Sequence, residues 1–346
     1  RITLNYSVLN TLMKKVLFIT DECDLPKDYS IKSKNSEGNK ASARNEMVNA
    51  LNNLFDYVYT TYSISEANKY LVNNKDTYVV TTYYGIAEAS SKSIIPAICK
   101  AENVNYLGAD AYAQMICNDK YLSKSYIKKF GLNPIPGIII YSPNNREELN
   151  EIQKLNYPLV VKPNFGGGSN GIAKCSVTYN FEQTITLIEE LSNYQNMPIL
   201  VEEYIEGYEI SFIIIGNKNK IKYSGESKLL LDKKDYFTNE VFGLESKKIN
   251  ASQKAYVASN FIKGENKNKI FNLFKSFEKM EFMRVDCRVT KNQEIYVIEL
   301  SPDCYIGSNG AFQETLKRDG YDFFEMLKFL INNSTNNQNN LLSNDQ

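Results

Sequence analysis

A glycine-rich stretch between two apolar segments is the part of this sequence best suited to hold an anion. It runs from residue 157 to residue 176 and reads YPLVVKPNFGGGSNGIAKCS. The apolar residues before Lys162 predict one strand, and residues 172–175 predict a second strand after the glycines. A hairpin of this kind lays the backbone N–H groups of its turn against an anion, beside the charge of Lys162. The stretch predicts a flap that covers a phosphate group, with an ordinary flexible hairpin as the alternative.

The residues after the glycines exclude two other phosphate-binding turns. A P-loop or a dinucleotide-binding turn needs a helix directly after its glycines, because the helix N-terminus holds the phosphate. Here the following residues alternate as a strand does, and the sequence contains no Gly-Lys-Ser/Thr tripeptide. Lys120 is a second candidate cation, although either lysine could instead be a solvated surface residue. The candidate phosphate contacts are Lys120, Lys162, Gly167, Gly168 and Ser169.

Two acidic residues in the last part of the chain are candidates for a magnesium site. Asp286 and Glu299 lie in segments 284–290 and 294–300, whose alternation predicts two neighbouring strands. Their carboxylates would repel each other without a metal, and they are the hard oxygen ligands that Mg²⁺ prefers. Arg284 shares the face of Asp286 and could stabilise an oxyanion or bind a carboxylate. The alternative is a surface pair of acids.

Composition excludes several kinds of catalysis and partner. Histidine is absent from the 346 residues, which rules out Ser-His-Asp and Cys-His catalysis and His-ligated zinc. Lys+Arg and Asp+Glu both number 40, so the charge balance gives no reason to expect a nucleic-acid partner. No apolar run is long enough to cross a membrane. The six scattered cysteines are typical of a reducing cytosol, and without histidine to activate it Cys304 is interpreted as a pocket-wall residue.

Alternating strands and helices in the first part of the chain predict an open parallel sheet with helices on both faces. The predicted strands are residues 16–20, 55–59 and 78–82, and the predicted helices are 43–54 and 94–101. Residues 32–40 are polar and predict a mobile loop. Met13 precedes the first strand, so we expect the native chain to begin there, with residues 1–12 as an added leader sequence. Neither segment resembles a signal peptide, and we expect a cytoplasmic protein.

The rest of the chain mixes short strands and helices. A helix opens at Asn118, the predicted cap, and ends near Phe130. Residues 228–248 are charged, aromatic and poorly periodic, which is typical of a long functional loop. The residues after Ile331 are rich in Asn, Gln and Ser and predict a disordered tail. The other predicted strands are 138–141, 159–162, 199–201, 210–215 and 220–224, and the other helices are 181–191, 268–280 and 321–331.

Three motifs in this order and spacing resemble the ATP-grasp fold, and within it the D-alanine–D-alanine ligase group. They are VVKPNFGGGSNGI, VEEYIEGYEIS and RVDCRVT followed by EIYVIELSP, and the resemblance covers roughly residues 107–331. It implies an α/β chain built of α+β modules, with the nucleotide held between the central and C-terminal domains. The implied limits are 13–117 for a Rossmann-like N-terminal domain, 118–203 for the central subdomain, 204–332 for the C-terminal subdomain and 333–346 for the tail.

The resemblance assigns the remaining nucleotide contacts. Residues 202–205 match the segment that reads adenine, where the Glu202 carboxylate or nearby carbonyls accept from the exocyclic amine and an N–H near Ile205 donates. Glu209 matches the carboxylate that accepts from ribose hydroxyls. A run of charged residues at a strand end is the alternative. The implied ATP contacts in this segment are Glu202, Glu203, Tyr204, Ile205 and Glu209.

Three positions depart from the family pattern. Ser301 stands where the family usually has Asn as a third metal contact, and a hydroxyl is a poorer and shorter ligand. The residues up to Ser308, a candidate catalytic residue, replace the usual Pro-Gly turn of the acceptor pocket. Residues 20–24 replace the Gly-Gly-x-Ser-x-Glu stretch that contributes to the first-substrate site. The identity of the two substrates therefore stays open.

The resemblance implies an ATP- and Mg²⁺-dependent ligase, with Mn²⁺ as a possible substitute, that joins a carboxylate to an amine through an acyl phosphate. Arg284 would stabilise the oxyanion, and Lys228 in a lid formed by residues 228–248 would close over the γ-phosphate and keep water out. The expected substrates are amino acids or a small peptide. The alternatives are a ligase that modifies a peptide or protein, and a nucleotide-binding protein with degenerate chemistry. Family members are commonly dimers through the N-terminal domain, so a homodimer is expected.

Overall fold

The structure is a computed structural model, and it describes residues 14–22, 41–85, 88–241, 243 and 254–342. The predicted leader, the start at Met13 and the loop at 32–40 lie outside the described residues. The described backbone forms three sheets, and each is covered by helices on at least one face. None of the helices in this part of the chain has an apolar stretch sufficient to span a bilayer.

The first sheet is parallel, as the alternation of strands and helices predicts. Its strands are β1 (Lys15–Thr20), β2 (Tyr57–Thr61), β3 (Thr77–Thr82) and β4 (Asn105–Tyr106), in the order β2-β1-β3-β4. Helix α1 (Ala41–Asn52) packs on one face, and α2 (Ile64–Asn73) and α3 (Ile94–Ala101) pack on the other. Alternate residues of β1 point to the two faces, so Val16 and Phe18 meet α1 while Leu17 and Ile19 meet α2 and α3.

The second sheet is antiparallel and carries the glycine-rich stretch. Its strands β6 (Gly137–Ile140), β7 (Leu159–Pro163), β8 (Val177–Thr178) and β9 (Ile199–Glu203) lie in the order β6-β9-β7-β8. Helices α6 (Arg146–Glu151) and α7 (Phe181–Tyr194) lie between its strands in the chain, and α7 packs on the apolar face of the sheet. Two helices, α4 (Ala111–Asn118) and α5 (Lys120–Lys129), precede the sheet. The cap of α5 is Asp119, whose side chain accepts from the Leu122 N–H, and not Asn118, which ends α4.

The flap is longer than the sequence predicts. Residues 172–175 do not form a strand, because the chain makes a 3₁₀ turn at Lys174–Ser176 and pairs with β7 only from Val177 onward. Ser169 and Gly171 have positive φ angles of 63° and 65°. Such left-handed backbone turns the chain out of an extended path.

The third sheet is the largest of the three and contains strands from both the central and the last part of the chain. Its strands are β10 (Gly207–Gly216), β11 (Ile221–Leu231), β12 (Tyr236–Phe237), β13 (Lys254–Ala258), β14 (Phe282–Val289), β15 (Ile295–Ser301) and β5 (Asn133–Pro134), which pairs with β15. Helix α8 (Gly264–Lys275) covers one face, and α9 (Ala311–Arg318) and α10 (Phe323–Leu342) pack against the other. The second of these faces shares one core with β1 and α1, so the first and third sheets are not independent.

Two predictions about irregular segments are wrong. Residues 228–231 continue β11, because the strand has a partner on each side in β10 and β13. The predicted loop therefore starts later, and most of its second half lies outside the described residues. The predicted tail is helical as far as Leu342, because α10 turns Asn333 and Ser334 into the interior, where each is at most 1% exposed.

The packing of α10 predicts that truncating the Asn333 side chain lowers the stability of the fold. The Asn333 amide donates to the carbonyls of Gly216 (2.8 Å) and Glu281 (3.3 Å). We expect Asn333→Ala to lower the free energy of unfolding by about 1–3 kcal/mol, because two buried hydrogen bonds are lost, although the Glu281 carbonyl keeps the Gly216 N–H as a donor. Urea unfolding followed by circular dichroism measures the change. The half-buried neighbour Asn332 supplies the control, and an effect of Asn333→Ala no larger than that of Asn332→Ala would contradict the packing of α10.

Candidate functional site

One cavity of about 770 Å³ lies where the three sheets meet, and it is lined by almost every predicted site residue. The flap and β7 form one wall, β10, β14 and β15 form the opposite wall, and α1 with the loop after β15 closes one end. The predicted site residues that line the cavity are Lys120, Lys162, Gly167, Gly168, Ser169, Glu202, Glu203, Tyr204, Ile205, Glu209, Arg284, Asp286, Glu299, Ser301 and Ser308.

Lys228 is the exception. It lies in β11, where its ammonium group is 2.5 Å from Asp235 and 5.2 Å from the centre of the Tyr208 ring. The residues that line the cavity do not include it. The prediction that Lys228 closes over the γ-phosphate from a mobile loop is therefore wrong, because pairing of β11 with both neighbouring strands fixes it elsewhere.

Glu202 is a buried counter-ion. One carboxylate oxygen contacts the ammonium group of Lys162, and the other is 2.7 Å from that of Lys124. Burial raises the pKa of the Glu202 carboxyl, but the charges of the two lysines outweigh burial and hold the pKa below its ordinary value. Each oxygen can still accept a second hydrogen bond, so the interpretation that this carboxylate accepts from adenine stays a prediction. The sequence analysis did not single out Lys124, because this lysine lies outside the three motifs.

Polar contacts fasten the beginning of the flap to the junction of α4 and α5. The Lys120 ammonium group donates to the carbonyl of Gly166 and, at 3.4 Å, to that of Asn164. The N–H of Gly166 donates in turn to the Asn118 amide oxygen at 3.0 Å. At the other end of the turn, a Cβ on Gly171 would lie 2.5 Å from the Pro163 ring, so a larger residue would not fit there. The flap is thus positioned from both ends.

The two predicted metal ligands face each other across β14 and β15. Asp286 and Glu299 are direct partners in the strand register, and the Ser301 hydroxyl is 3.4 Å from a Glu299 oxygen. Asp286 also accepts from the Ser211 hydroxyl at 2.7 Å and from Nε of Arg284 at 2.8 Å. Carboxylate and hydroxyl oxygens are all hard donors.

The charges at this end of the cavity suit a divalent cation. Burial and the neighbouring Glu299 raise the pKa of Asp286, although Arg284 opposes them. Burial also disfavours ionisation of Glu299, but Lys120 and Arg284 outweigh it and lower its pKa. The described residues contain no cluster of three or more His, Cys, Asp or Glu side chains placed to hold a metal. Asp286, Glu299 and the Ser301 hydroxyl could supply hard oxygen ligands to a cation whose shell phosphate and water oxygens would complete.

The hinge between β9 and β10 forms the far end of the cavity. Tyr204 and Ile205 line it, and Glu203 turns its carboxylate to Asn156, accepting from the backbone N–H at 2.9 Å and from the side chain at 2.8 Å. Glu209 lines the same end and accepts from Arg288 at 3.0 Å. The sequence analysis did not single out Arg288, although the period of two along β14 places it on the face of Arg284 and Asp286.

The opposite end of the cavity is built by residues that no motif revealed. Glu46 of α1 accepts from the hydroxyl of Ser308 and from its backbone N–H. Lys92, from the turn before α3, forms an ion pair of 2.6 Å with Asp303. Burial raises the pKa of the nearby Cys304 thiol to about 12, so it is protonated at neutral pH and unsuited to nucleophilic attack.

A family model described as D-ala D-ala ligase C-terminus matches residues 126–332, which is more than half of the chain. A D-alanine–D-alanine ligase from Wigglesworthia glossinidia brevipalpis is 23% identical over 287 residues, covering 80% of this chain and 77% of that protein. One from Clostridium acetobutylicum is 26% identical over 247 residues, covering 68% of each chain.

Solved structures confirm the ATP-grasp fold that the three motifs imply. A D-alanine–D-alanine ligase from Bacillus anthracis complexed with ATP superimposes with a TM-score of 0.71 at 18% identity, covering 95% of this chain and 99% of that one. The VanG D-Ala:D-Ser ligase from Enterococcus faecalis gives a TM-score of 0.66 at 18% identity, covering 93% and 99%.

The pairing of Glu202 predicts a pH-dependent loss of stability. We expect Glu202→Gln to cost about 3 kcal/mol at pH 7, because it leaves two buried lysines without their counter-ion. Since the pKa of Glu202 is lowered in the folded state, the stability it contributes is present above its ordinary pKa and is lost as pH falls through the folded-state value. The difference between wild type and variant should therefore shrink below about pH 4.

Urea unfolding at pH 7 and at acidic pH measures both parts of this prediction. Glu203→Gln is the matched control, because Glu203 is the next residue, is half-buried, and its carboxylate accepts from Asn156 rather than from a lysine. An equal loss for both variants, or a loss for Glu202→Gln that does not change with pH, would contradict the role of Glu202 as counter-ion.

Proposed function

The chain belongs to the D-ala D-ala ligase C-terminus family, and from that premise we propose that it is an ATP-dependent carboxylate–amine ligase that forms a peptide bond between amino acids. The observation that carries the proposal is the single cavity in which a flap, a hinge, two lysines and two facing carboxylates come together. Each part matches a step that such a ligase requires.

The nucleotide would lie along the cavity from the hinge to the flap. The Glu202 carboxylate or the carbonyls of residues 203–205 would accept from the exocyclic amine of adenine, a backbone N–H near Ile205 would donate to the ring, and Glu209 would accept from the ribose. The triphosphate would lie beneath Gly167, Gly168 and Ser169. Lys120 and Lys162 would then exchange part of their present contacts for phosphate oxygens, which carry more negative charge than a carbonyl.

Asp286 and Glu299 would hold Mg²⁺, or Mn²⁺ in its place, with Ser301 as a weaker ligand. When bound, such a cation neutralises the charge that develops on the transferring phosphoryl group. Arg284 lies within 3.8 Å of both carboxylates, so it is held beside the reacting groups. Its remaining donors can then face the substrate.

The reaction would proceed in two steps. The substrate carboxylate attacks the γ-phosphorus of ATP, the bond to the bridging oxygen breaks, and ADP leaves. The amine of the second substrate attacks the carbonyl of the acyl phosphate, and inorganic phosphate leaves as the amide bond forms. In this second step, Arg284 stabilises the oxyanion that forms when the amine attacks and that lasts until phosphate leaves. The nitrogen loses its proton to water.

The acceptor end supports an amino acid as substrate. The Glu46 carboxylate can bind an ammonium group, and Ser308 can donate to a carboxylate. The two solved relatives are named for different acceptors, D-alanine in one and D-serine in the other. The fold therefore leaves the acceptor to these local residues.

We also propose the three-domain division at 13–117, 118–203 and 204–332, because each range contains one of the three sheets apart from β5. A homodimer through the N-terminal domain and a cytoplasmic location remain part of the proposal. The buried cysteines Cys99, Cys117, Cys287 and Cys304 are thiols, which suits a reducing compartment.

ADP and phosphate release from Mg-ATP, measured against a panel of amino acids, pairs and small peptides, tests the function. We expect release only with certain acceptors, and mass spectrometry of the product to show a new amide bond. Glu299→Gln should bind ATP within about threefold of wild type but release at least about 100-fold less ADP, because the charge of the transferring group is no longer neutralised. Lys162→Ala should instead weaken ATP binding.

Arg146→Lys on the exposed face of α6 serves as the control for handling and folding. Wild-type turnover by Glu299→Gln would overturn the metal assignment. Tight ATP binding without release for any small acceptor would favour the two alternatives, a macromolecular acceptor or degenerate chemistry, over an amino-acid ligase.

The contact proposed between Glu46 and the acceptor predicts a change in acceptor binding that does not extend to ATP. We expect Glu46→Gln to raise the KM of the amine substrate by about tenfold or more while the KM of ATP stays nearly constant, because a charge-assisted contact becomes a neutral one. Steady-state kinetics with each substrate varied in turn measures both values. Glu66→Gln on α2, outside the cavity, is the control. A change in the KM of ATP alone would show that Glu46 does not contact the acceptor.

A further inference from the structure

Arg288 is a buried cation in the nucleotide cavity, and the sequence analysis gave it no role although it lies in the RVDCRVT motif. It lies on β14 two residues after Asp286, is 5% exposed, and lines the hinge end of the cavity. Its guanidinium group holds three elements together: Nη2 donates to the Glu209 carboxylate at 3.0 Å and to the Glu240 carbonyl at 3.1 Å, while Nη1 donates to the Tyr204 hydroxyl at 3.1 Å.

Aromatic rings hold the guanidinium plane in place. The centres of the Tyr204 and Phe237 rings each lie 5.2 Å from its central carbon. The Tyr204 hydroxyl also donates to the Glu240 carbonyl at 2.8 Å, which closes a network between the hinge and the segment after β12. Only arginine combines a planar stacking surface with five donors, and lysine could satisfy one or two of these partners at most.

The network fixes one carboxylate oxygen of Glu209. Arg288 binds Oε2, whereas Oε1 accepts no hydrogen bond from the described residues and remains for a ligand in the cavity. Burial, together with Asp286 and Glu299, raises the pKa of Glu209, and Arg288 is the cation that opposes this. The position and the charge of the carboxylate thus depend on the same side chain.

We propose that Arg288 is the positioning residue that sets ribose recognition: it holds Glu209 so that a single oxygen accepts from one hydroxyl of the nucleotide. This rests on the proposed function, in which Glu209 reads the ribose. It goes further in predicting that one of the two ribose hydroxyls is required and that the requirement is imposed through Arg288. A core ion pair with no part in recognition would support folding but would not affect the choice between nucleotides.

The test compares the binding of ATP, 2′-deoxy-ATP and 3′-deoxy-ATP by calorimetry. We expect the wild-type protein to prefer ATP over one of the deoxynucleotides by about tenfold or more, the size of one hydrogen bond to a charged group. In Arg288→Lys this preference should fall below about threefold, because lysine cannot hold the hinge and Glu240 together with Glu209. Glu209→Gln should lose the preference to a similar extent.

The double variant Arg288→Lys/Glu209→Gln separates recognition from folding. If Arg288 acts through Glu209, the double variant loses no more preference than Glu209→Gln alone, since contacting residues are not additive. Arg318→Lys is the matched control. Its guanidinium group donates to the carbonyls of Glu226 and Tyr256, and Arg318 is not itself among the residues that line the cavity, so its substitution should leave the preference unchanged.

The outcomes distinguish this inference from the proposed function. Failure of the wild-type protein to bind any of the three nucleotides would overturn the proposed function itself. Binding without preference, or a full preference in Arg288→Lys, would overturn the role of Arg288 and leave the ligase proposal intact. If Arg288→Lys does not fold, Tyr204→Phe removes one anchor of Arg288 and keeps the ion pair. An undiminished preference in that variant would equally overturn the inference.

Discussion

The pairing of buried charges is the constraint on which the cavity depends. Its walls carry cations and carboxylates that would be unstable out of water if they were alone, and pairing with an opposite charge stabilises them. Lys162 of β7 and Lys124 of α5 share Glu202 of β9. Along β14, Arg284 and Arg288 each hold a carboxylate, one at the reacting end and one at the hinge. The charges that would bind the nucleotide therefore also fix the elements around it.

Much of the fold and most of the candidate site could be predicted, because motifs and periodicity report local structure. Helix α3 was predicted to the residue, and the alternation along β14 and β15 placed Asp286 opposite Glu299. The failures share a different cause. Local composition predicts a loop at Lys228, but pairing with β13 places this residue in a strand. It also predicts disorder in the Asn-rich tail, but helix α10 buries Asn333. Such properties are set by distant parts of the chain, which local composition does not report.

The two ends of the cavity differ in how far they follow the family pattern. The flap, hinge and facing carboxylates lie in the three motifs that resemble the family, whereas the proposed acceptor end is built from Glu46, Lys92 and the loop after β15. The nucleotide end does the same chemistry for any acceptor, so its residue types are tightly constrained. The acceptor end has only to fit one substrate, and different side chains can meet that need.

One hydrophobic core contains residues of β1, α1, β10, α9 and α10, so the first and last parts of the chain are folded against each other. A domain that shares its core cannot be exchanged as a cassette, because a foreign N-terminal domain would leave the apolar faces of α9 and α10 without a matching surface. New acceptors would therefore arise in this lineage by point substitution around an intact frame. Recombination between relatives would succeed only where the crossover carries both ends of the chain together.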